Sequence, residues 1–319
     1  MPVITILDTG YTSYACEKEL FKRHGYTLQL FSGDASDAVA KRDYARHSVG
    51  ILVRGTKVDG NFYDHCPDVQ AVVRYGVGYD NVNLADAKAR GIRVANVQGY
   101  ANHAVSDHTM ALIYACTRGL FPGAQQIFTD FSAPPFEDMF ELHDKTLGII
   151  GLGRIGSFVA RKAAGLVQMV IAVDPYQPDE QFTRVNVQRV HVRELLAESH
   201  IITLHCNLTD ETHFLINGEA FAKMNQRPVL INTARGAVVD EKMLLRALQE
   251  GRIHSAGLDV FQDEPPTIAQ RDLLNHPRVV ATGHYAWYSD VASRTLQQRA
   301  AENMLALLRG EKIADCLTD

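Results

Sequence analysis

Three polar side chains stand just past apolar runs that read as strands: Arg235 after "VLINTA", Glu264 a few residues beyond "AGLDV", and His284 after "VVATG". Their types suit one reaction. A guanidinium offers two parallel hydrogen bonds to a carboxylate, enough to hold a 2-oxo or 2-hydroxy acid in one orientation, and Gly236 leaves space beside it. A histidine near the 2-oxygen can give a proton as hydride reaches the carbonyl, or take one as hydride leaves. A carboxylate beside that histidine orients the ring and favours imidazolium, so Glu264 can keep the acid form populated near neutral pH. Each residue also has a plainer reading. Arg235 can pair with Asp240 at a helix start, Glu264 can sit in an acidic turn between Asp263 and Pro265, and His284 can be a bonded core histidine. Against these stands their joint occurrence at successive strand ends behind a glycine-rich turn.

That turn is "TLGIIGLGRIG", with Gly151, Gly153 and Gly156 in G-x-G-x-x-G spacing between an apolar strand and a helix. Glycines there allow a tight turn and let backbone N–H groups approach a pyrophosphate at the helix N-terminus. The pattern alone is weak, because glycine turns also serve packing. Its context strengthens it: "MVIAVDPY" supplies the next strand, ending in Asp174, where a carboxylate can accept hydrogen bonds from adenine-ribose hydroxyls. Asp174 can otherwise be a strand-end residue opening a turn with Pro175. NAD is expected rather than NADP, since a 2′-phosphate would meet the charge of Asp174 and neither Pro175 nor Tyr176 brings a cation.

The elements that must position these groups form a βαβ rhythm. "VITIL", "LQLF", "VGILV" and "VQAVVR" read as strands, with "SYACEKELFKRHG" and "LADAKARG" as helices ending at glycine. "ANHAVSDHTMALIYACTRGLF" suits one long helix, followed by an aromatic, proline-bearing arm, "TDFSAPPFEDMF". Strands then resume at "MVIAVD", "IITLHC", "PVLINTA", "HSAGLDV" and "RVVATGH". Alternation of this kind builds parallel sheets. The expectation is an α/β protein of two doubly wound domains: 1–98 with 293–319, to which the closing helix "SRTLQQRAAENMLALLRGE" returns, and 99–292.

The chain's 319 residues, 46% of them hydrophobic, suffice for two cores. Its net charge of -5, without a lysine or arginine run, speaks against a nucleic-acid partner, so an acidic small molecule must be met by local cations. Five scattered cysteines form no zinc or redox spacing, and no metal site is expected. With no basic leader before "MPVITILD" and no apolar run long enough for a bilayer, a cytoplasmic protein without a membrane partner is expected.

Over nearly its whole length the sequence resembles the D-isomer-specific 2-hydroxyacid dehydrogenases. The matching stretches are "VVRYGVGYDNVNL", "LGIIGLGRIG", "LINTARGAVVDEKMLLRALQEGRI", "AGLDVFQDEP" and "GHYAWYS". The resemblance implies two flavodoxin-like or Rossmann-like lobes with the active site in the cleft between them. It implies NAD-dependent interconversion of a 2-oxo acid and its D-2-hydroxy acid, with Arg235, Glu264 and His284 in the catalytic positions. It also implies Asp259 near the nicotinamide carboxamide, Thr233 on the nicotinamide side, and Cys206 with Thr212 in the loop over the adenosine. Thr109, Arg154 and Ile155 join the cofactor set. Val77 and Gly78, in "RYGVG", match the loop whose N–H groups meet the substrate carboxylate. A homodimer through the helix and arm near 100–140 follows from the same resemblance.

Two departures affect the substrate. Most family members carry proline before the catalytic histidine, where this chain has Gly283, a freer loop. "HYAWYS" and "LHCNLTDETHFLIN" are most similar to the C-terminal-binding proteins, a corepressor branch in which NAD occupancy controls dimerisation; there Arg74 and Trp287 match residues that face the substrate. An enzyme is expected here, since the chain stops just after its last helix without that branch's long tail. Trp287 otherwise reads as a half-buried core aromatic. "LVRGTKV" resembles the D-3-phosphoglycerate dehydrogenases instead, so Arg54 can meet a second anion or be a solvated strand-end cation. Trp287 points to an apolar or thioether side chain, Arg54 to a di-anion.

Overall fold

Val229, Leu230 and Ile231 turn alternately into two apolar clusters on opposite faces of one strand, which is why "VLIN" reads as an unbroken apolar run. The computed structural model describes residues 1–319 and divides into two α/β units, Met1–Ala101 with Ser289–Asp319, and Asn102–Tyr288.

In the first unit β1 (Val3–Ile6), β2 (Thr27–Leu30), β3 (Ser48–Val53), β4 (Ala71–Arg74) and β5 (Arg93–Ala95) pair in parallel, in the order β2-β1-β3-β4-β5. The connections are α1 (Ala15–Arg23), α2 (Ala38–Tyr44), α3 (Gly60–His65) and α4 (Leu84–Ala89). This order is the flavodoxin-like one, and its switch point lies between β1 and β3. Asp8 sits there, just past β1. One of its oxygens takes the N–H groups of Arg54, Gly55 and Thr56 at 2.7, 2.8 and 2.8 Å, and the other takes the Thr56 hydroxyl at 2.6 Å and the Lys41 ammonium at 2.7 Å.

The second unit opens with α5 (Asn102–Thr117) and α6 (Leu120–Gln126). The single long helix expected here is broken at Gly119, whose φ of 58° is left-handed and where a Cβ would lie 2.7 Å from Pro135 Cγ. The sheet follows as β6 (Thr146–Ile150), β7 (Met169–Val173), β8 (Gln188–Arg189), β9 (Ile201–Leu204), β10 (Val229–Asn232), β11 (Ser255–Leu258) and β12 (Val279–Ala281). Between the strands run α7 (Arg154–Ala163), α8 (Asp179–Arg184), α9 (Val192–Glu198), α10 (Gly218–Ala222), α11 (Glu241–Gln249) and α12 (Arg271–Leu274). The parallel order β12-β11-β10-β9-β6-β7-β8 is that of a Rossmann sheet with one added strand, and its switch point lies between β6 and β9. The last helix, α13 (Asp290–Leu308), returns to the first unit and packs on β3, β4, β5 and α1.

Candidate active site

At the end of β6 the three glycines do three different things. Gly151 has φ 94°, and a Cβ there would lie 2.7 Å from the Cys206 nitrogen. A Cβ on Gly156 would lie 2.1 Å from the Gly151 oxygen, so α7 packs directly on the turn. A Cβ on Gly153 would meet nothing within 4 Å, so the space beside it is open at the start of α7. Ile155 turns partly into the core behind the turn while Arg154 is exposed. Asp174, at the end of β7, takes the Leu152 N–H on one oxygen at 2.9 Å and the Tyr176 N–H on the other at 3.0 Å. Each oxygen keeps acceptor capacity for a ribose hydroxyl. One cation near Asp174 escaped the sequence reading: the Arg189 guanidinium bonds the Asp174 carbonyl at 3.3 Å. It is also bonded to Asp179 at 2.6 Å and lies 4.9 Å over the Phe182 ring, so it is committed. An open N–H cradle beside a carboxylate fits NAD.

The remaining cofactor candidates follow the later strands of the same sheet. Burial pushes the Cys206 thiol up to about 11, so this cysteine is an inert filler beside Gly151. The Thr212 hydroxyl donates to the Asn207 carbonyl at 2.6 Å and accepts from the Thr209 N–H at 2.8 Å, bracing the loop after β9. Thr233, past β10, lies 3.2 Å from the Thr109 hydroxyl on α5.

After β10, Asn232 braces the loop that carries Arg235, accepting from the Ala234 N–H at 3.0 Å and donating to the Arg235 carbonyl at 2.9 Å. The room left by Gly236 is taken by main chain, since a Cβ there would lie 1.9 Å from the Phe261 carbonyl carbon. The requirement is therefore contact between the loops after β10 and β11, and the idea that Gly236 leaves room beside the guanidinium is replaced by it. Asp240 accepts from the Lys242 and Met243 N–H groups and caps α11.

His284 Nδ1 lies 2.5 Å from Glu264 Oε2, and Glu264 Oε1 accepts from the Phe261 N–H at 3.1 Å. Burial pushes the Glu264 carboxyl up, but the hydrogen bond and charge of His284, the Phe261 N–H and the Arg235 charge outweigh it, and its pKa is lowered. Arg235 is thus electrostatically coupled to the pair. His284 itself adopts φ 56°, an uncommon conformation for a residue with a side chain, whereas Gly283 is outside the left-handed region. The loop is held from below by Asp259, which is 1% exposed. Its carbonyl takes the His284 N–H at 2.8 Å, and its carboxylate takes the Thr282 hydroxyl at 2.6 Å and the N–H groups of Tyr285 and Ala286 at 3.1 and 3.0 Å. Trp287 is half-buried and donates its indole N–H to the His284 carbonyl at 3.1 Å. His108 on α5, which the sequence reading passed over, lies 3.0 Å from the Thr282 hydroxyl.

Arg54, Arg74, Val77 and Gly78 belong to the first unit; Arg74 is the last residue of β4, and the other three lie past strand ends. The Arg54 guanidinium is exposed and lies over Gly10, where a Cβ would be 3.3 Å from Nη2. That of Arg74 folds over Gly76, whose φ is 132° and whose Cβ would overlap Nη1. Val77 is partly exposed, and its carbonyl accepts from the Asn96 amide at 2.6 Å.

Residues 110–286 match the model of the D-isomer specific 2-hydroxyacid dehydrogenase NAD binding domain. The chain is 33% identical to the glyoxylate/hydroxypyruvate reductase B of Erwinia tasmaniensis, over 92% of both chains. It is 35% identical to a glyoxylate reductase of Korarchaeum cryptofilum, over 80% of this chain and 77% of that one. The crystal structure of D-lactate dehydrogenase from Aquifex aeolicus complexed with NAD and lactic acid superimposes with a TM-score of 0.90 at 26% identity, covering 99% of each chain. With its Rossmann sheet, its glycine turn beside Asp174 and these relatives, the chain belongs to the D-isomer-specific 2-hydroxyacid dehydrogenases, NAD-dependent oxidoreductases of 2-oxo and D-2-hydroxy acids.

Proposed function

We propose that this enzyme reduces short, mono-anionic 2-oxo acids of the glyoxylate, hydroxypyruvate and pyruvate class, with Arg235 holding the substrate carboxylate and His284 protonating the 2-oxygen. The observation that carries this reading is the 2.5 Å pairing of His284 Nδ1 with Glu264, beside the charge of Arg235. NADH supplies the hydride. With Nδ1 engaged, Nε2 is the nitrogen free to give the proton, and Glu264 steadies the imidazolium before transfer. In the reverse direction the same Nε2 accepts the proton. Gly151, Gly153, Gly156, Arg154 and Ile155 hold the pyrophosphate, Asp174 the ribose, Cys206 and Thr212 line the adenosine, and Thr109, Thr233 and Asp259 serve the nicotinamide side. The N–H groups of Val77 and Gly78, with Arg74, complete the substrate carboxylate site, and Trp287 borders the substrate side chain. Arg54 acts only on a substrate with a second anion.

Length supports the substrate class: the acids in the names of the three relatives above have two or three carbons and one carboxylate. A cytoplasmic homodimer is part of the proposal. Its support is an exposed apolar set around α6, with Leu120 and Phe121 at 55%, Phe128 at 99% and Phe131 at 85% exposure. All five cysteines are free, which suits a reducing compartment, and no helix is long and apolar enough to cross a membrane. The test is NADH oxidation with glyoxylate, hydroxypyruvate, pyruvate and oxaloacetate as substrates. Turnover on the first three with oxaloacetate slower by tenfold or more, about 1.4 kcal/mol, is the expected result; preference for the di-anion contradicts the substrate class.

A further inference from the structure

We infer that His108 is a positioning residue for His284, acting through Thr282 and Asp259, and that it does so as a hydrogen-bond donor from Nε2. This rests on the reading of His284 as the acid.

The assignment follows from counting protons. The Thr282 hydroxyl has a single proton, and it goes to Asp259 Oδ1 at 2.6 Å, because an ionised carboxylate can only accept. His108 Nε2, 3.0 Å from the same hydroxyl oxygen, must then be the donor, which fixes the ring's tautomer. The direct distance from Nε2 to Asp259 Oδ1 is 3.7 Å, so the threonine hydroxyl is the shorter route. Asp259 is buried and gives two further acceptor sites to the N–H groups of Tyr285 and Ala286, while its carbonyl takes that of His284. The ring of Tyr285 also stands edge-on to His108, with centroids 5.4 Å apart.

The loop needs such a hold. His284 sits at φ 56°, a conformation costly for a non-glycine residue and kept only where the surroundings over-determine it. One turn of α5 therefore serves two strand ends: Thr109 meets Thr233 past β10, and His108 meets Thr282 past β12. If the donor on α5 is lost, the Thr282 oxygen loses its partner, the hydroxyl can rotate away, and Asp259 holds the loop less firmly. The imidazole then spends less time at the angle that proton transfer needs.

The experiment compares His108→Leu, His108→Gln and Thr282→Val in the full chain. The glutamine amide nitrogen reaches close to the place of Nε2 and keeps a donor, whereas leucine keeps only bulk. His108→Leu should lower kcat for 2-oxo acid reduction on the order of 10- to 100-fold, with the Kd for NADH nearly unchanged. His108→Gln should recover most of the loss. Thr282→Val should match His108→Leu, and the double variant should be no worse than either, because both break one chain of bonds. Amide hydrogen exchange at His284, Tyr285 and Ala286, followed by NMR, should accelerate in His108→Leu and return in His108→Gln. Unchanged exchange in both His108→Leu and Thr282→Val overturns the proposal, as does a glutamine variant no better than leucine. The exchange result stands without catalysis, so failure of the acid role would be seen separately, as normal turnover by His284→Asn.

Discussion

Nδ1 of His284 and Oε2 of Glu264 are 2.5 Å apart, so the imidazole faces any substrate through Nε2 alone. His284→Asn should keep the fold and NADH binding and lose about 10²- to 10⁴-fold in kcat. Steady-state kinetics beside an NADH titration check this, and near-normal turnover returns His284 to a structural role.

The pair also sets the pH profile. The Glu264 carboxyl, raised by burial but lowered further by His284, is held below its ordinary range, so it stays charged beside the imidazole through neutral pH. As pH falls through its lowered folded value, Glu264 gains a proton and its bond to the ring loses its charge, so kcat should drop at the acid end. Glu264→Gln removes that titration, and the acid limb of the profile should vanish. A variant with the wild-type profile would break the link between the two residues.

Arg235→Ala should cost about 3 to 5 kcal/mol in kcat/KM, several hundredfold and upward, by removing a two-bond clamp on the substrate carboxylate. The loops after β10 and β11 meet through main chain at Gly236, so melting temperature and NADH affinity should change little. Normal turnover in this variant would return the arginine to a structural pairing.

Asp8 ties three segments of the first unit together. Its burial opposes ionisation, but Lys41, the Thr56 hydroxyl and the N–H groups of Thr56 and Arg54 hold its pKa far below the ordinary carboxylate range. With the folded value lowered, this stabilisation is complete above the unfolded value of about 3.9 and is lost as pH falls through the folded one. The Lys41 and Asp8 side chains are 7% and 9% exposed, so Asp8→Asn leaves a buried ammonium without its counter-charge, keeping the Thr56 hydroxyl, and should cost about 3 to 5 kcal/mol at neutral pH. Urea melts at pH 7 and at about pH 3 should show a smaller difference between variant and wild type at the acid pH.

The roles proposed for Arg54 and Arg74 separate two substrate classes. Arg74→Ala should raise KM for every accepted 2-oxo acid. Arg54, exposed over Gly10, should matter only for a di-anion, since an exposed cation facing nothing contributes close to zero. The check is kcat/KM of Arg54→Ala on pyruvate, a longer apolar 2-oxo acid and oxaloacetate. A loss confined to oxaloacetate would establish a second anion site, and equal small changes would remove Arg54 from the site.

The family's architecture was legible because parallel strands buried on both faces leave unbroken apolar runs such as "VLIN", and because the glycine turn and Asp174 carry their chemistry in adjacent residues. The two-residue β8 and three-residue β5 leave no such trace. The support of the site was hidden for another reason: His108 and Thr282 meet across 174 positions, and Asp8 gathers its partners from 33 to 48 positions away. A carboxylate at a strand end, as in "ILDTG", was the one available hint for Asp8. Nothing local marks His108, one of two histidines on an otherwise ordinary helix.

The most direct measurement is the configuration of the glycerate formed from hydroxypyruvate and NADH by the purified protein. Hydride delivery to a substrate held by Arg235 and protonated by His284 in this family's site predicts D-glycerate alone. L-glycerate, a racemate, or no NADH consumption with any 2-oxo acid would contradict it.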